Sequence, residues 1–194
     1  MEQIEIEQHP LPPFLPQEAK ILMLGSFPPP KNRWSMDFFY PNLNNDMWRI
    51  LGLIFYKDKQ YFSSKDLRSF QKEKIERFLI EKHIALYDTA TAVRRLKNNA
   101  SDQYLEVVEP TNIKSLLNKI PYCTTLVTTG KKATEILQDQ FSVTEPKIGE
   151  SSEFKYDERK LKLYRMPSSS RAYPLAIEKK AAVYYKMFQE IELI

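Results

Sequence analysis

Cysteine is nearly absent from this chain, and histidine is scarce. The single Cys123 and the two histidines, His9 and His83, exclude an internal disulfide framework, a Cys-ligated iron–sulfur cluster and a Cys-rich zinc site, and they are too few for most His-based metal sites. No metal and no cofactor are expected. Long apolar runs are missing too: Ile50-Leu-Gly-Leu-Ile-Phe55 falls far short of the ~20 residues that span a bilayer. The opening Met1-Glu-Gln-Ile-Glu-Ile-Glu7 is acidic where a secretory signal would be basic. Together these absences predict a reduced, cytoplasmic protein. Nor is there a large excess of one charge. Lys plus Arg total 29 against 25 Asp plus Glu, a net charge of +4, which permits an anionic partner without requiring one.

What is present suits one compact domain. The 194 residues are 42% hydrophobic and 28% charged, enough to bury a core and unlike a disordered or collagen-like chain. Residues 1–18 form a proline-rich lead-in, with Pro10-Leu-Pro-Pro-Phe-Leu-Pro16 expected to run over the surface because its prolines cannot donate backbone hydrogen bonds. Short apolar runs then recur at Ile21-Leu-Met-Leu-Gly25, Ile84-Ala-Leu-Tyr87, Thr124-Thr-Leu-Val-Thr128 and Leu161-Lys-Leu-Tyr164, each reading as a strand. Helical spacing lies between them: Met47, Trp48, Ile50, Leu51 and Ile54; Ile75, Phe78 and Leu79; Ile113, Leu116, Leu117 and Ile120; Ala133, Ile136 and Leu137. A final helix is expected to start at Pro174. Such alternation predicts a three-layer α/β/α domain with a central four-stranded parallel sheet, whose site is built by the loops at the carboxyl ends of the strands.

Four loops qualify. The first, Gly25-Ser-Phe-Pro-Pro-Pro30, lets backbone amides approach a ligand at its glycine. It lacks the Gly-Lys-Ser/Thr ending of a phosphate-binding P-loop. Trp34, Phe38, Phe39, Tyr40 and Trp48 follow it, either as an aromatic core cluster or as a stacking platform for a base. Asn44 and Asn45 stand where a helix starts, so capping is an alternative role for both. The second loop begins at Asp88, a turn former or a base reader, and from Thr89 to Ser101 it carries three cations and no anion. In the third, Thr128-Thr-Gly-Lys-Lys-Ala-Thr134, a helix amino end with Lys131 and Lys132 suits an anion, unless Thr129 merely caps it. The fourth, Met166-Pro-Ser-Ser-Ser-Arg-Ala-Tyr-Pro174, offers three hydroxyls and Arg171 without a histidine, so a Ser-His-Asp nucleophile has no support.

In order and spacing the four loops resemble the uracil-DNA glycosylase superfamily, most nearly its hypoxanthine-DNA glycosylase-like and mismatch-specific branch, from about Ile21 to the final helix. Gly25-Ser-Phe-Pro-Pro29 is similar to the first motif and Tyr40-Pro-x-x-x-Asn45-x-x-Trp48 to the His-Pro-x-Asn-x-x-Trp segment. Leu86-Tyr-Asp-Thr-Ala90 is similar to the base-reading strand end, Thr129-Gly-x-x-Ala133 to the glycine turn, and Met166-Pro-Ser-Ser-Ser170 to the last motif. The resemblance implies a monofunctional DNA glycosylase that extrudes a deaminated base and hydrolyses its N-glycosidic bond, acting as a monomer associated with the nucleoid. It assigns Asn45, with Asn44 as rival, to positioning water or sugar. Gly25, Ser26, Phe27, Phe38 and Asp88 would bind the base, and Lys131, Lys132, Ser168, Ser169, Ser170 and Arg171 would hold DNA. The departures are specific. Phe27 stands where many members orient the attacking water with Asp or Asn, Met166 stands where uracil-type enzymes have histidine, and Asp88 replaces the base-reading asparagine. Ionised aspartate only accepts hydrogen bonds, which favours a base presenting an N–H. Two other readings stay open: a non-catalytic DNA-binding or damage-sensing domain that retains the fold, and a small-molecule or nucleotide-binding α/β protein.

Overall fold

Every residue of the Ile21–Gly25 strand is buried, as its unbroken apolar sequence requires of a strand covered on both faces. The computed structural model describes residues 4–97 and 101–194; Asn98, Asn99 and Ala100 of the second loop lie outside them. In chain order the elements are β1 (Ile6–Gln8), β2 (Ile21–Gly25), α1 (Met47–Tyr56), α2 (Lys72–Glu81), β3 (Ile84–Asp88), β4 (Ala90–Arg95), β5 (Leu105–Pro110), α3 (Ile113–Lys119), β6 (Thr125–Thr129), α4 (Lys131–Gln138), β7 (Ser151–Tyr156), β8 (Arg159–Met166) and α5 (Ile177–Glu190).

The central sheet has the order β3-β2-β6-β8-β7. Its first four strands are parallel, as expected. A fifth, β7, joins antiparallel to β8 and corrects the four-stranded expectation. Its alternation of exposed and half-buried positions marks an edge strand, too polar to stand out as an apolar run. The chain leaves β2 toward β3 on one side and later returns to β6 on the other. With the right-handed connections that parallel strands take, this order puts α1 and α2 on one face and α3 and α4 on the opposite one. The reversal at β2 opens the crevice in which such sheets place their ligands.

A second, three-stranded antiparallel sheet, β1-β4-β5, was not foreseen; β4 occupies the stretch expected to be the second loop. The lead-in runs over the surface, exposed or half-buried from Pro10 to Pro16, yet it is hydrogen-bonded to both sheets. His9 N–H donates to Thr91 O at 2.8 Å, and Phe14 exchanges two hydrogen bonds with Leu86 at 3.0 and 2.9 Å, covering the free edge of β3. The final helix begins at Ile177 rather than Pro174, so the proline belongs to the loop before it.

Candidate active site

The carboxyl ends of the parallel strands open into a cavity of about 790 Å³, within the size range of small-ligand sites. Gly25 from β2, Asp88 from β3, Thr129 from β6 and Ser168 after β8 all line it, so all four loops inspected in the sequence meet there. The register explains the convergence, because Gly25 pairs with Asp88 and Thr129 with Met166 across adjacent strands.

Gly25 is required by a close approach. A Cβ at this position would lie 2.5 Å from Asp88 Oδ1 and 3.6 Å from the Tyr40 hydroxyl, so only glycine lets the carboxylate lie across the strand end. The other Asp88 oxygen, Oδ2, is 2.8 Å from His9 Nε2, in a pair whose side chains are 10% and 2% exposed respectively. His9 Nδ1 lies 3.1 Å from Leu11 N and 2.9 Å from Leu11 O. The neutral ring can accept from that N–H and the imidazolium can donate to that carbonyl, and in both cases Nε2–H donates to Asp88. The ring is further fixed by Phe27, Tyr87 and Phe39, with centroids 5.3, 4.6 and 6.2 Å away. Tyr40 completes this wall, its hydroxyl 3.3 Å from Thr129 Oγ1. Burial, reinforced by the Asp88 charge, pushes that phenol well above its ordinary value, so it remains a neutral hydrogen-bonding group.

Two aromatic assignments separate. Phe27 lines the cavity while also packing on the small apolar cluster of Ala90, Val93 and Leu105 beneath the second sheet. Phe38 does not reach the cavity. It is buried against Phe14, Phe39 and Trp48, and its neighbour Phe39 lines the cavity instead. Adjacent residues here face different surroundings, a choice that composition cannot reveal.

Asn44 and Asn45 both line the rim. Asn45 Oδ1 accepts the Met47 N–H at 3.0 Å, a capping bond at the entry of α1, while Asn44 is exposed. The fourth loop is clamped to this entry. Asp46 N–H donates to Ser169 O and Arg171 N–H to Asn44 O, and Arg171 Nε donates to Asp46 Oδ1 at 3.0 Å. Asp46 also receives Arg49 Nη1 at 3.1 Å. From α5, Lys180 Nζ reaches Ser170 O at 2.7 Å and the Tyr184 hydroxyl reaches Pro167 O at 2.9 Å. Burial holds the Lys180 ammonium below its ordinary value, against the opposing pull of Asp46. Ser168, Ser169, Ser170 and Arg171 therefore sit on a braced rim, with the Arg171 side chain half exposed.

The basic residues are less free than the sequence suggests. Lys131 pairs with Glu135 at 3.5 Å on the α4 surface, and Lys132 Nζ donates to Leu105 O at 3.1 Å; neither lines the cavity. Arg94 pairs with Glu106 and Arg95 with Glu7. The cation-rich stretch is thus largely neutralised by anions from β5 and β1. Thr129 does not cap α4; Gly130 occupies that position at φ 104°.

Two groups of the site are not legible in the sequence, one behind the cavity wall and one in the cavity lining. His9 lies 79 residues from its partner, beyond any local spacing rule. Asp102 reaches the cavity from the short helical turn Asp102–Tyr104 before β5, accepting Ser26 Oγ at 2.6 Å. Among the described residues, no group of three or more His, Cys, Asp or Glu side chains could hold a metal ion, and no helix is long and apolar enough to cross a membrane.

No protein-family model matches the chain, and no curated protein matches it. Among solved structures it is similar to the solution structure of a "putative Uracil DNA glycosylase" from Methanosarcina acetivorans. The TM-score is 0.67 with 21% identity, over 97% of this chain and 99% of the other. The chain thus has a uracil-DNA glycosylase-like fold: a parallel-rich sheet between helices, with its crevice at the carboxyl strand ends.

Proposed function

We propose that this protein is a monofunctional DNA repair glycosylase that extrudes a deaminated base, uracil or hypoxanthine, and hydrolyses its N-glycosidic bond. The observation that carries this reading is the buried Asp88 carboxylate, held by His9 on one oxygen and laid over Gly25 with the other, inside a strand-end cavity large enough for a base. An extruded base is read by hydrogen bonds to its edge and by stacking. Asp88 Oδ1 accepts an N–H of the base, the backbone of Gly25 and Ser26 serves its carbonyl, and Phe27 and Phe39 supply apolar surface. Asn45 holds its side-chain oxygen on the Met47 N–H, which leaves its amide N–H groups for sugar or phosphate oxygens. The rim at 168–171 holds the phosphates and fills the vacated stack, with Lys131 and Lys132 adding charge nearby. Such an enzyme works as a monomer, without metal, on DNA in the cytoplasm.

The second reading, a damage-sensing domain without catalysis, is favoured by Phe27, which puts an aromatic ring where the resembling enzymes orient water. One assay separates the two. The protein is incubated with duplexes carrying uracil, hypoxanthine, xanthine or a thymine mismatch, followed by alkaline cleavage. Strand scission that survives EDTA is expected for at least one duplex. Tight damage-specific binding with no scission on any duplex would establish the sensor.

A further inference from the structure

We infer that Asp102, oriented by the Ser26 hydroxyl, is the carboxylate that positions and deprotonates the attacking water and faces the positive charge that develops on the sugar. This rests on the glycosylase reading and supplies the group that Phe27 cannot.

Two carboxylates line the cavity among the described residues, Asp88 and Asp102. They are not equivalent. Asp88 is locked by a buried imidazole and lies over a strand end, an arrangement that reads a fixed ligand edge. Asp102 holds a neutral hydroxyl on Oδ1 at 2.6 Å, leaving Oδ2 outside that bond. Ser26, the donor, is itself 9% exposed and directly follows Gly25, so the hydroxyl fixes the carboxyl beside the strand end that binds the base. Phe27 lines the same cavity, its ring packed on His9 and on the second sheet, and carries no group that could take the water's proton.

The surroundings suit a base. Burial raises the Asp102 pKa above the ordinary 3.8, and Asp88 raises it further; Ser26, Lys132 on α4 and Arg95 on β4 oppose the rise. A carboxylate whose proton affinity is raised is, in its ionised form, the stronger base. In the step, the water oxygen bonds to C1′ of the deoxyribose and its proton passes to Asp102. The C1′–N bond breaks with its electron pair going to the base. The base takes up a proton from solvent as it leaves, and Asp102 returns its own to solvent.

The test has two arms, both on the full chain. In single-turnover excision of uracil and hypoxanthine duplexes, Asp102→Asn should slow the reaction by about 10²-fold to 10⁴-fold, the usual loss for a missing base, with duplex affinity unchanged. The wild-type rate should rise with pH through an inflection above 3.8. Ser26→Ala, which removes a bond that lowers this pKa, should move the inflection upward, and Asp102→Asn should abolish it. The second arm compares binding of duplexes bearing a cationic pyrrolidine or a neutral tetrahydrofuran in place of the abasic sugar. The wild type should favour the cation by about tenfold, one such step being 1.4 kcal/mol, and Asp102→Asn should lose that preference. Wild-type rates in Asp102→Asn, or a preference that it retains, would overturn the assignment. A wild type that excises nothing sinks the glycosylase reading and the water-activating role with it. The analogue pair then decides what remains, that Asp102 faces the positive charge: a preference abolished by the substitution supports it, and equal binding overturns it.

Discussion

Two regions build the cavity by different physical means. The floor is the ends of the parallel strands, where fully buried residues fix Gly25, Asp88 and Thr129 in register. The wall comes from the lead-in and the β1-β4-β5 sheet, whose strands are half exposed, yet it contributes His9 and Asp102. The floor supplies precision, since a sheet core cannot move without losing packing. The wall supplies the ionisable groups that polarise it. Core strands have no room for a charge without a partner, so the partner arrives from a segment that can be laid on afterwards.

Removing the link between the two regions should have the largest effect. His9→Ala leaves Asp88 buried without its donor and should cost about 3–5 kcal/mol, as when one member of a buried pair is lost. His9→Gln, which keeps an N–H, should recover much of this. Urea unfolding of the three proteins checks it, and equal midpoints would show that wall and floor are independent.

Next comes the floor itself. Gly25→Ala drives a methyl to 2.5 Å from Asp88 Oδ1, and a displacement of about 1 Å in such a group costs roughly 10²-fold in rate. Excision should fall by that factor, with the circular dichroism spectrum intact; a full rate would remove Asp88 from base recognition. Asp88→Asn is subtler. The His9 N–H should take the amide oxygen and turn the NH₂ toward the cavity, replacing an acceptor by a donor. The ratio of uracil to hypoxanthine excision should then rise by about tenfold, the value of one ordinary hydrogen bond. An unchanged ratio would break the assignment.

The smallest effect is expected at the rim. Arg171 shares Asp46 with Arg49, so Arg171→Ala should alter stability by less than about 1 kcal/mol. If it also holds one phosphate, the salt dependence of DNA binding should fall by about 0.9 in slope. An unaltered slope together with unaltered excision would leave Arg171 as a brace between the fourth loop and α1.

The central strands, the helices between them and the loops that carry Gly25, Asp88 and Ser168 were legible in the sequence, because burial on both faces forces uninterrupted apolar runs and these end where the loops begin. Asp88 stands out for that reason, and the family resemblance points to the same residue. Phe38 against Phe39 is not decidable from sequence, since both join the core and only packing lets Phe39 also reach the cavity. β7 and β4 do not stand out in the sequence because polar residues share their covered positions with apolar ones, as Ser152 does beside Phe154 in β7 and Arg94 beside Val93 in β4. His9 and Asp102 lay beyond any local reading. Their positions follow from antiparallel pairing of β1 and β5 with β4, a long-range contact whose register is settled by the folded sheet. The sequence by itself thus determined the layered frame and the face that carries the cavity, through the periodicity of burial. Tertiary structure alone decided which charged groups meet there, because segments distant in the chain become partners only when folding removes both from water.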